Sequence, residues 1–99
     1  MLHFIIEITY TAALPEIERA LPSHRAFLQT GYDRGLLLMS GPQNPRTGGI
    51  LVARAATRDE LEAFLQGDPY RVLGLASYRF IEFNPVKRSP LVEGWISGS

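Results

Sequence analysis

The order of strand-like and helix-like segments along the 99 residues is the feature that most limits the possible fold. The first segment, LHFIIEITY, alternates apolar side chains on one face, and Ile5 adds an apolar side chain to the other. This pattern predicts a strand that is partly covered on both faces. A helix-like stretch runs from Pro15 to Gly35, and LLLMSGP and GILVARA then read as two strands joined by a Gly-, Pro- and Asn-rich loop. These two strands are expected to form a hairpin.

The helix-like stretch carries a proline in its interior. Its apolar stripe holds Ile17, Leu21, His24 and Leu28, which are spaced by three and four residues. Pro22 lacks the amide hydrogen that an interior position needs, and its ring clashes with the carbonyl group of Glu18 in a regular helix. We therefore expect a short turn over residues 15–20, followed by a main helix that starts near Pro22 and ends at Gly35.

The second half of the chain repeats the alternation of helix and strand. Thr57 is a typical helix cap and RDEL supplies acidic residues to the first turn, which predicts a helix through Leu65. Asp68 and Pro69 are expected to open another short helix that Gly74 closes. The segment ASYRFIEFN then reads as the last strand.

This order of elements, strand, helix, strand, strand, helix and strand, predicts an α+β fold of the ferredoxin-like βαββαβ type with an antiparallel four-stranded sheet. The length suits one domain, which we place at residues 1–85, with a C-terminal tail at 86–99. Helices on one face leave the other face of the sheet in need of cover. A second subunit is the simplest cover, so a homodimeric α+β barrel is expected. Trp95 in the tail either docks on the domain or its partner subunit, or is disordered.

Charge and composition narrow the classes of partner and cofactor. Ten basic residues balance ten acidic ones without a basic cluster, which argues against nucleic acid as a partner. The apolar N-terminal segment is short and contains His3 and Glu7, so we expect neither a signal peptide nor contact with a membrane. Cysteine is absent, which excludes thiol chemistry and is compatible with the cytoplasm, the location we expect. With two histidines and no HxxxH spacing, no metal and no cofactor are predicted.

His24 lies where an amphipathic helix normally carries leucine. It is either a hydrogen-bonded structural residue or a general acid or base, because the ordinary pKa of histidine, about 6.5, suits proton transfer near neutrality. The second role needs a partner that fixes one ring nitrogen. Asp68 is a candidate for that partner and equally for the cap of the short helix. The two roles are compatible if the cap uses one carboxylate oxygen and leaves the other free.

Three motifs resemble a known family through their order and spacing. LPSHRAFL, LLLMSGPQNPRTGGILVA and GDPYRVLGLASYRFIEFNP together resemble YciI-like (YCII-related) proteins over nearly the whole domain, to about Pro85. The resemblance implies dimers of ferredoxin-like α+β subunits and an active-site pair that maps onto His24 and Asp68. One class of the family dehydrochlorinates an aromatic substrate, so the resemblance permits lyase-like acid/base chemistry on a small-molecule ligand.

Other side chains near these motifs are candidates for binding a substrate. Ser40 in SGP either belongs to a turn or points its hydroxyl into a pocket beside His24. Arg46 either binds an anionic group or is solvated, as loop arginines usually are. Tyr70 departs from the phenylalanine that is frequent in the family and adds a hydroxyl near the expected pocket. His3 is expected to be an unpaired surface or interface histidine, although it is able to reach a barrel interior.

Three functions fit these observations. The first is a small enzyme in which His24, oriented by Asp68, performs acid/base chemistry. The second is a non-catalytic domain that binds a small ligand, and in the third the His24–Asp68 pair only holds two helices together. A Ser-His-Asp hydrolase has little support, because the chain lacks the strand-to-helix elbow that carries such a serine.

Overall fold

The computed structural model describes residues 1–98 of the chain. The main elements are β1 (Leu2–Tyr10), α1 (Leu14–Asp33), β2 (Leu37–Pro42), β3 (Gly48–Ala55), α2 (Arg58–Leu65), α3 (Pro69–Val72) and β4 (Ala76–Phe83). A 3₁₀ turn (Pro90–Val92) and a one-turn helix α4 (Glu93–Ile96) follow in the tail. Within residues 1–98, no helix has the length and apolar character needed to cross a membrane.

The four strands form one antiparallel sheet in the order β2-β3-β1-β4. The first strand lies in the middle, where Ile6 pairs with Leu51 of β3 on one side and with Phe80 of β4 on the other. This arrangement confirms the predicted ferredoxin-like α+β fold. The pairing of two such sheets in a dimer stays a prediction.

The core lies between the sheet and the helices on its one covered face. Phe4 and Ile6 of β1 are fully buried against Leu61 and Leu65 of α2, and Leu28 contributes from α1. Full burial of each such side chain contributes about 1.5–3 kcal/mol relative to exposure. The alternation in LHFIIEITY therefore points its larger apolar set into this core.

The helix α1 is continuous, and the predicted break before Pro22 is wrong. The helix runs from Leu14 to Asp33 with Pro22 inside it. Both Pro22 and Glu18 are exposed, so water is able to bind the carbonyl group that lacks its helical donor. Ile17 and His24 remain on the buried stripe, and packing of that stripe outweighs the local penalty of about 3 kcal/mol.

Two predicted helix boundaries, Gly35 after α1 and Thr57 before α2, are confirmed. Gly35 has φ +74°, and the amide group of Leu36 donates to the carbonyl of Gly31 at 2.8 Å, which completes a Schellman ending of α1. The Thr57 hydroxyl accepts the amide hydrogen of Glu60 at 3.1 Å at the start of α2.

The sheet face opposite the helices is partly covered by the tail of the same chain. The Arg54 guanidinium lies 4.1 Å from the ring centroid of Trp95 and donates to the Trp95 carbonyl at 2.9 Å. His3 Nε2 lies 3.2 Å from the carbonyl oxygen of Ile96 and the residue is buried. The interpretation of His3 as an unpaired histidine is therefore wrong, because the tail returns to this end of the sheet.

Candidate active site

A cavity of about 240 Å³ opens between α1, the sheet and the start of α3. It is lined by Ile8 and Tyr10 of β1, Leu21, His24, Arg25 and Leu28 of α1, Ser40, Gly41 and Pro42 of β2, Gly49, Ile50 and Leu51 of β3, and by Arg46 and Tyr70. Three of the predicted site residues, Ser40, Arg46 and Tyr70, thus share one cavity with His24. Asp68 lies behind the histidine ring and does not line the cavity.

His24 and Asp68 are joined by a buried hydrogen bond of 2.8 Å between Nδ1 and Oδ1. The histidine comes from the buried stripe of α1, and the aspartate is the fully buried N-cap residue of α3. The carboxylate acts as the acceptor, so the ring hydrogen lies on Nδ1. Nε2 forms no hydrogen bond within residues 1–98 and belongs to a ring that lines the cavity. It is therefore the nitrogen that a bound molecule would meet.

Both oxygens of the Asp68 carboxylate accept hydrogen bonds, and their partners differ from those expected from the sequence. Oδ1 accepts from His24 and also from the backbone amide of Tyr70 at 3.1 Å. Oδ2 accepts from the hydroxyl of Tyr78 at 2.6 Å. The expectation that the cap leaves one oxygen free for the histidine is wrong, because capping and orientation of the ring use the same oxygen. The whole carboxylate is held in one orientation by three donors.

Tyr78 was not identified from the sequence as part of this site. It lies on β4, and its hydroxyl supports the far side of the Asp68 carboxylate. Burial raises the pKa of Tyr78 far above its ordinary value, and the hydrogen bond and negative charge of Asp68 raise the pKa further. Strand alternation indicates that Tyr78 faces the helices, but only the packing of β4 beside α3 decides what its hydroxyl meets.

Tyr70 forms the wall of the cavity next to His24. The two rings stack with their centroids 3.8 Å apart and their planes 8° from parallel. The residue is 2% exposed, and its hydroxyl makes no hydrogen bond to any other of residues 1–98. Burial raises the pKa of Tyr70 to about 12, so the hydroxyl is a hydrogen-bond donor at neutral pH.

Ser40 and Arg46 reach the cavity from β2 and from the loop before β3. The Ser40 hydroxyl lies 2.6 Å from the hydroxyl of Tyr32, and Ser40 is among the residues that line the cavity. Arg46 pairs with Glu18 of α1, and the nearby Glu18 and Tyr10 side chains raise the pKa of Arg46. Its side chain is 34% exposed, so this arginine is held against α1 rather than freely solvated.

The remaining histidine does not belong to this cavity. His3 lies at the end of the sheet that the tail covers and contacts the carbonyl group of Ile96. Within residues 1–98, no group of three or more histidine, aspartate or glutamate side chains is arranged to hold a metal ion.

Comparison with known proteins identifies the fold and the family of this chain. A solved structure with TM-score 0.67 is the 5-chloro-2-hydroxyhydroquinone dehydrochlorinase from Burkholderia phenoliruptrix AC1100, in complex with 2,5-dihydroxybenzoquinone. It is 22% identical in sequence, and the alignment covers 90% of this chain and 96% of that one, so the likeness supports the common fold. No protein of curated function matches the sequence. The model of the YCII-related domain matches residues 1–84. The chain therefore belongs to the YCII-related family.

Proposed function

We propose that this protein is a small enzyme in which His24 acts as a general base and then as a general acid on a small molecule bound in the cavity. The observation that carries the proposal is the 2.8 Å hydrogen bond from His24 Nδ1 to Asp68, with the ring itself in the cavity wall. A carboxylate on Nδ1 fixes the tautomer and stabilises the imidazolium that forms when Nε2 takes a proton.

A lyase-type elimination fits this arrangement. Nε2 accepts a proton from an O–H or C–H group of the substrate, and the electron pair left behind forms a new double bond. The leaving group departs with the electrons of its own bond, and the imidazolium then returns the proton to the leaving group or to water. The substrate loses HX, and the enzyme ends in its starting state. The structurally similar dehydrochlorinase supports this class of reaction for the present chain.

Ser40, Arg46 and Tyr70 are the proposed substrate-binding residues. Each lines the cavity and carries a polar group, whereas most of the other lining side chains are apolar. Pockets for small molecules typically combine a mostly apolar wall with a few polar groups that fix the orientation of the ligand. The Ser40 hydroxyl and the Arg46 guanidinium are both able to donate hydrogen bonds.

A second candidate function is ligand binding without turnover. It is favoured by the number of structural contacts that the same residues make, since Asp68 caps α3 and also ties that helix to α1 and to β4. A histidine that serves only to hold Asp68 and to stack on Tyr70 needs no proton transfer.

Turnover by matched variants separates these functions. Purified protein is incubated with 5-chloro-2-hydroxyhydroquinone and a panel of related halogenated phenols, and release of halide ion is measured. We expect His24→Gln to lower the rate by about 10²- to 10⁴-fold. Arg58→Gln, which alters an exposed side chain on α2, is the control and retains the wild-type rate. Equal rates for wild type and His24→Gln reject the acid/base role, and ligand binding without halide release supports the second candidate.

Homodimerisation through the open sheet face is also proposed, with residues 1–85 as the domain and 86–99 as a C-terminal tail. Trp95 and Ile96 of that tail contact one end of the same face. Ile81 is 36% exposed, Phe83 43% and Met39 54%, and Ile5 and Val52 on the same face are half-buried. Such an apolar surface favours burial in an interface. Sedimentation should give twice the chain mass of 11.0 kDa, and Ile81→Glu should lower it to that of one chain. A wild-type monomer at micromolar concentration contradicts the proposal.

A further inference from the structure

The hydroxyl of Tyr70 is a buried donor that lacks a partner. The residue is 2% exposed, and among residues 1–98 the hydroxyl has no hydrogen-bond partner. Buried polar groups in folded proteins are almost always hydrogen-bonded, because an unpaired one has lost its contact with water and gained nothing in return. Tyr70 is one of the residues that line the cavity, so a bound molecule is the candidate for supplying the missing acceptor. The unmet hydrogen bond therefore points to an oxygen or other acceptor on the ligand.

The position of Tyr70 along the cavity follows from the residues that it packs against. The Tyr70 ring meets the Tyr10 ring edge-on, with centroids 6.0 Å apart. The Tyr10 amide donates at 2.9 Å to the carbonyl of Thr47, the residue that follows Arg46, so Tyr70 lies toward the end of the cavity that Arg46 approaches. The ring of Tyr70 also stacks on His24, with centroids 3.8 Å apart, so this end of the cavity lies beside the histidine.

The side chains that line the cavity carry positive charge only. Arg25 and Arg46 are among them, and within residues 1–98 the lining contains neither aspartate nor glutamate. Glu18 offsets part of the charge of Arg46 from outside the lining, but a guanidinium carries five N–H donors and one carboxylate leaves some of them free. A guanidinium beside a neutral O–H donor is a favourable site for an oxyanion.

We propose that the ligand of this cavity is a small organic oxyanion, a carboxylate or an enolate or phenolate. Its charged oxygen accepts hydrogen bonds from Tyr70 and Arg46, while its carbon skeleton extends toward Nε2 of His24. The volume of about 240 Å³ lies below the roughly 300–1,000 Å³ typical of pockets for drug-sized molecules, which limits the skeleton to about one ring. The inference shares its cavity with the proposed function and rests on it in that respect. It does not depend on catalysis, because binding an anion requires no proton transfer.

Matched anionic and neutral probes test this inference. Benzoate and benzamide have nearly the same shape, and acetate and acetamide form a smaller pair. Calorimetric titration at neutral pH should give saturable binding of at least one anion, at least tenfold tighter than its amide, because hydrogen bonds to a charged group contribute about 1.5–3 kcal/mol. Tyr70→Phe and Arg46→Gln should each weaken binding of the anion about tenfold and change binding of the amide by less than about threefold. Arg58→Gln is the control for loss of a distant positive charge and should change neither.

Folding of the variants is checked by their melting temperatures. Tyr70→Phe removes only an unsatisfied hydroxyl and keeps the ring that stacks on His24, so it should fold as the wild type does. Amides that bind as tightly as their anions, the absence of saturable binding of both anions, or unchanged affinity in Tyr70→Phe would each overturn the inference. His24→Gln distinguishes it from the proposed function, because selectivity for the anion should persist in that variant even though proton transfer is lost.

Discussion

Replacement of Asp68 by alanine and by asparagine should separate the folding role of its carboxylate from the electrostatic role. Alanine removes the acceptor for His24 Nδ1, for the amide of Tyr70 and for the hydroxyl of Tyr78. Loss of the cap costs about 1 kcal/mol, and each of the two buried side-chain donors left unpaired costs about 1–3 kcal/mol. Removal of a buried carboxylate recovers part of its desolvation penalty. We expect the free energy of unfolding to fall by about 3–5 kcal/mol.

Asparagine keeps the shape of aspartate and most of its hydrogen bonds. Its amide oxygen replaces Oδ1 and accepts from His24 and Tyr70, and its NH₂ group donates to the hydroxyl of Tyr78, which rotates to accept. The free energy of unfolding should therefore change by no more than about 1 kcal/mol. The negative charge is lost, however, so an imidazolium at His24 is no longer stabilised by a carboxylate, and turnover should fall by at least about tenfold.

The assay combines urea denaturation with the halide-release measurement on the same preparations. Asp59→Asn alters an exposed carboxylate in the first turn of α2 and serves as the control for a change of charge alone. The hydrogen-bond reasoning is refuted if Asp68→Asn is as unstable as Asp68→Ala, or if Asp68→Ala loses less than about 1 kcal/mol. Wild-type turnover in Asp68→Asn refutes the electrostatic role while leaving the folding role intact.

Three further outcomes are expected. The pKa of Tyr70 is raised from 10.0 to about 12 in the folded state, so this tyrosine ionises at lower pH in the unfolded chain. The free energy of unfolding should therefore be level below pH 10 and fall as the pH rises toward 12. Urea denaturation at several alkaline pH values tests this, and the fall should be smaller in Tyr70→Phe. Gly48→Ala places a methyl group against a backbone carbonyl oxygen of β1 and should prevent normal folding, whereas Gly41→Ala, which has open space, should be tolerated, as circular dichroism will show. Trp95→Ala removes the stacking on Arg54 and should lower the free energy of unfolding by about 1–2 kcal/mol, which a lower melting temperature will show. An unchanged melting temperature means that this stacking contributes no stability.

Most of the secondary structure could be predicted because its signals are local. The cap at Thr57, the positive φ of Gly35 and of Gly74, and the alternation in β1 depend on neighbours a few residues away. The break expected at Pro22 failed for the same reason. The rule that forbids proline inside a helix describes a local penalty, and it takes no account of the packing of Ile17 and His24 against the rest of the domain.

The amino-acid sequence by itself determined the order of the elements, the buried side of α1 on which His24 lies, and the position of Asp68 at the start of a helix. Those properties follow from residue type and spacing along one element. Only the tertiary structure decided that the two side chains, 44 residues apart, share a hydrogen bond. It also decided that Tyr78 holds the second oxygen of Asp68 and that Tyr70 stacks on His24. The physical reason is that a distance between side chains on separate elements depends on how those elements pack, which no local pattern encodes.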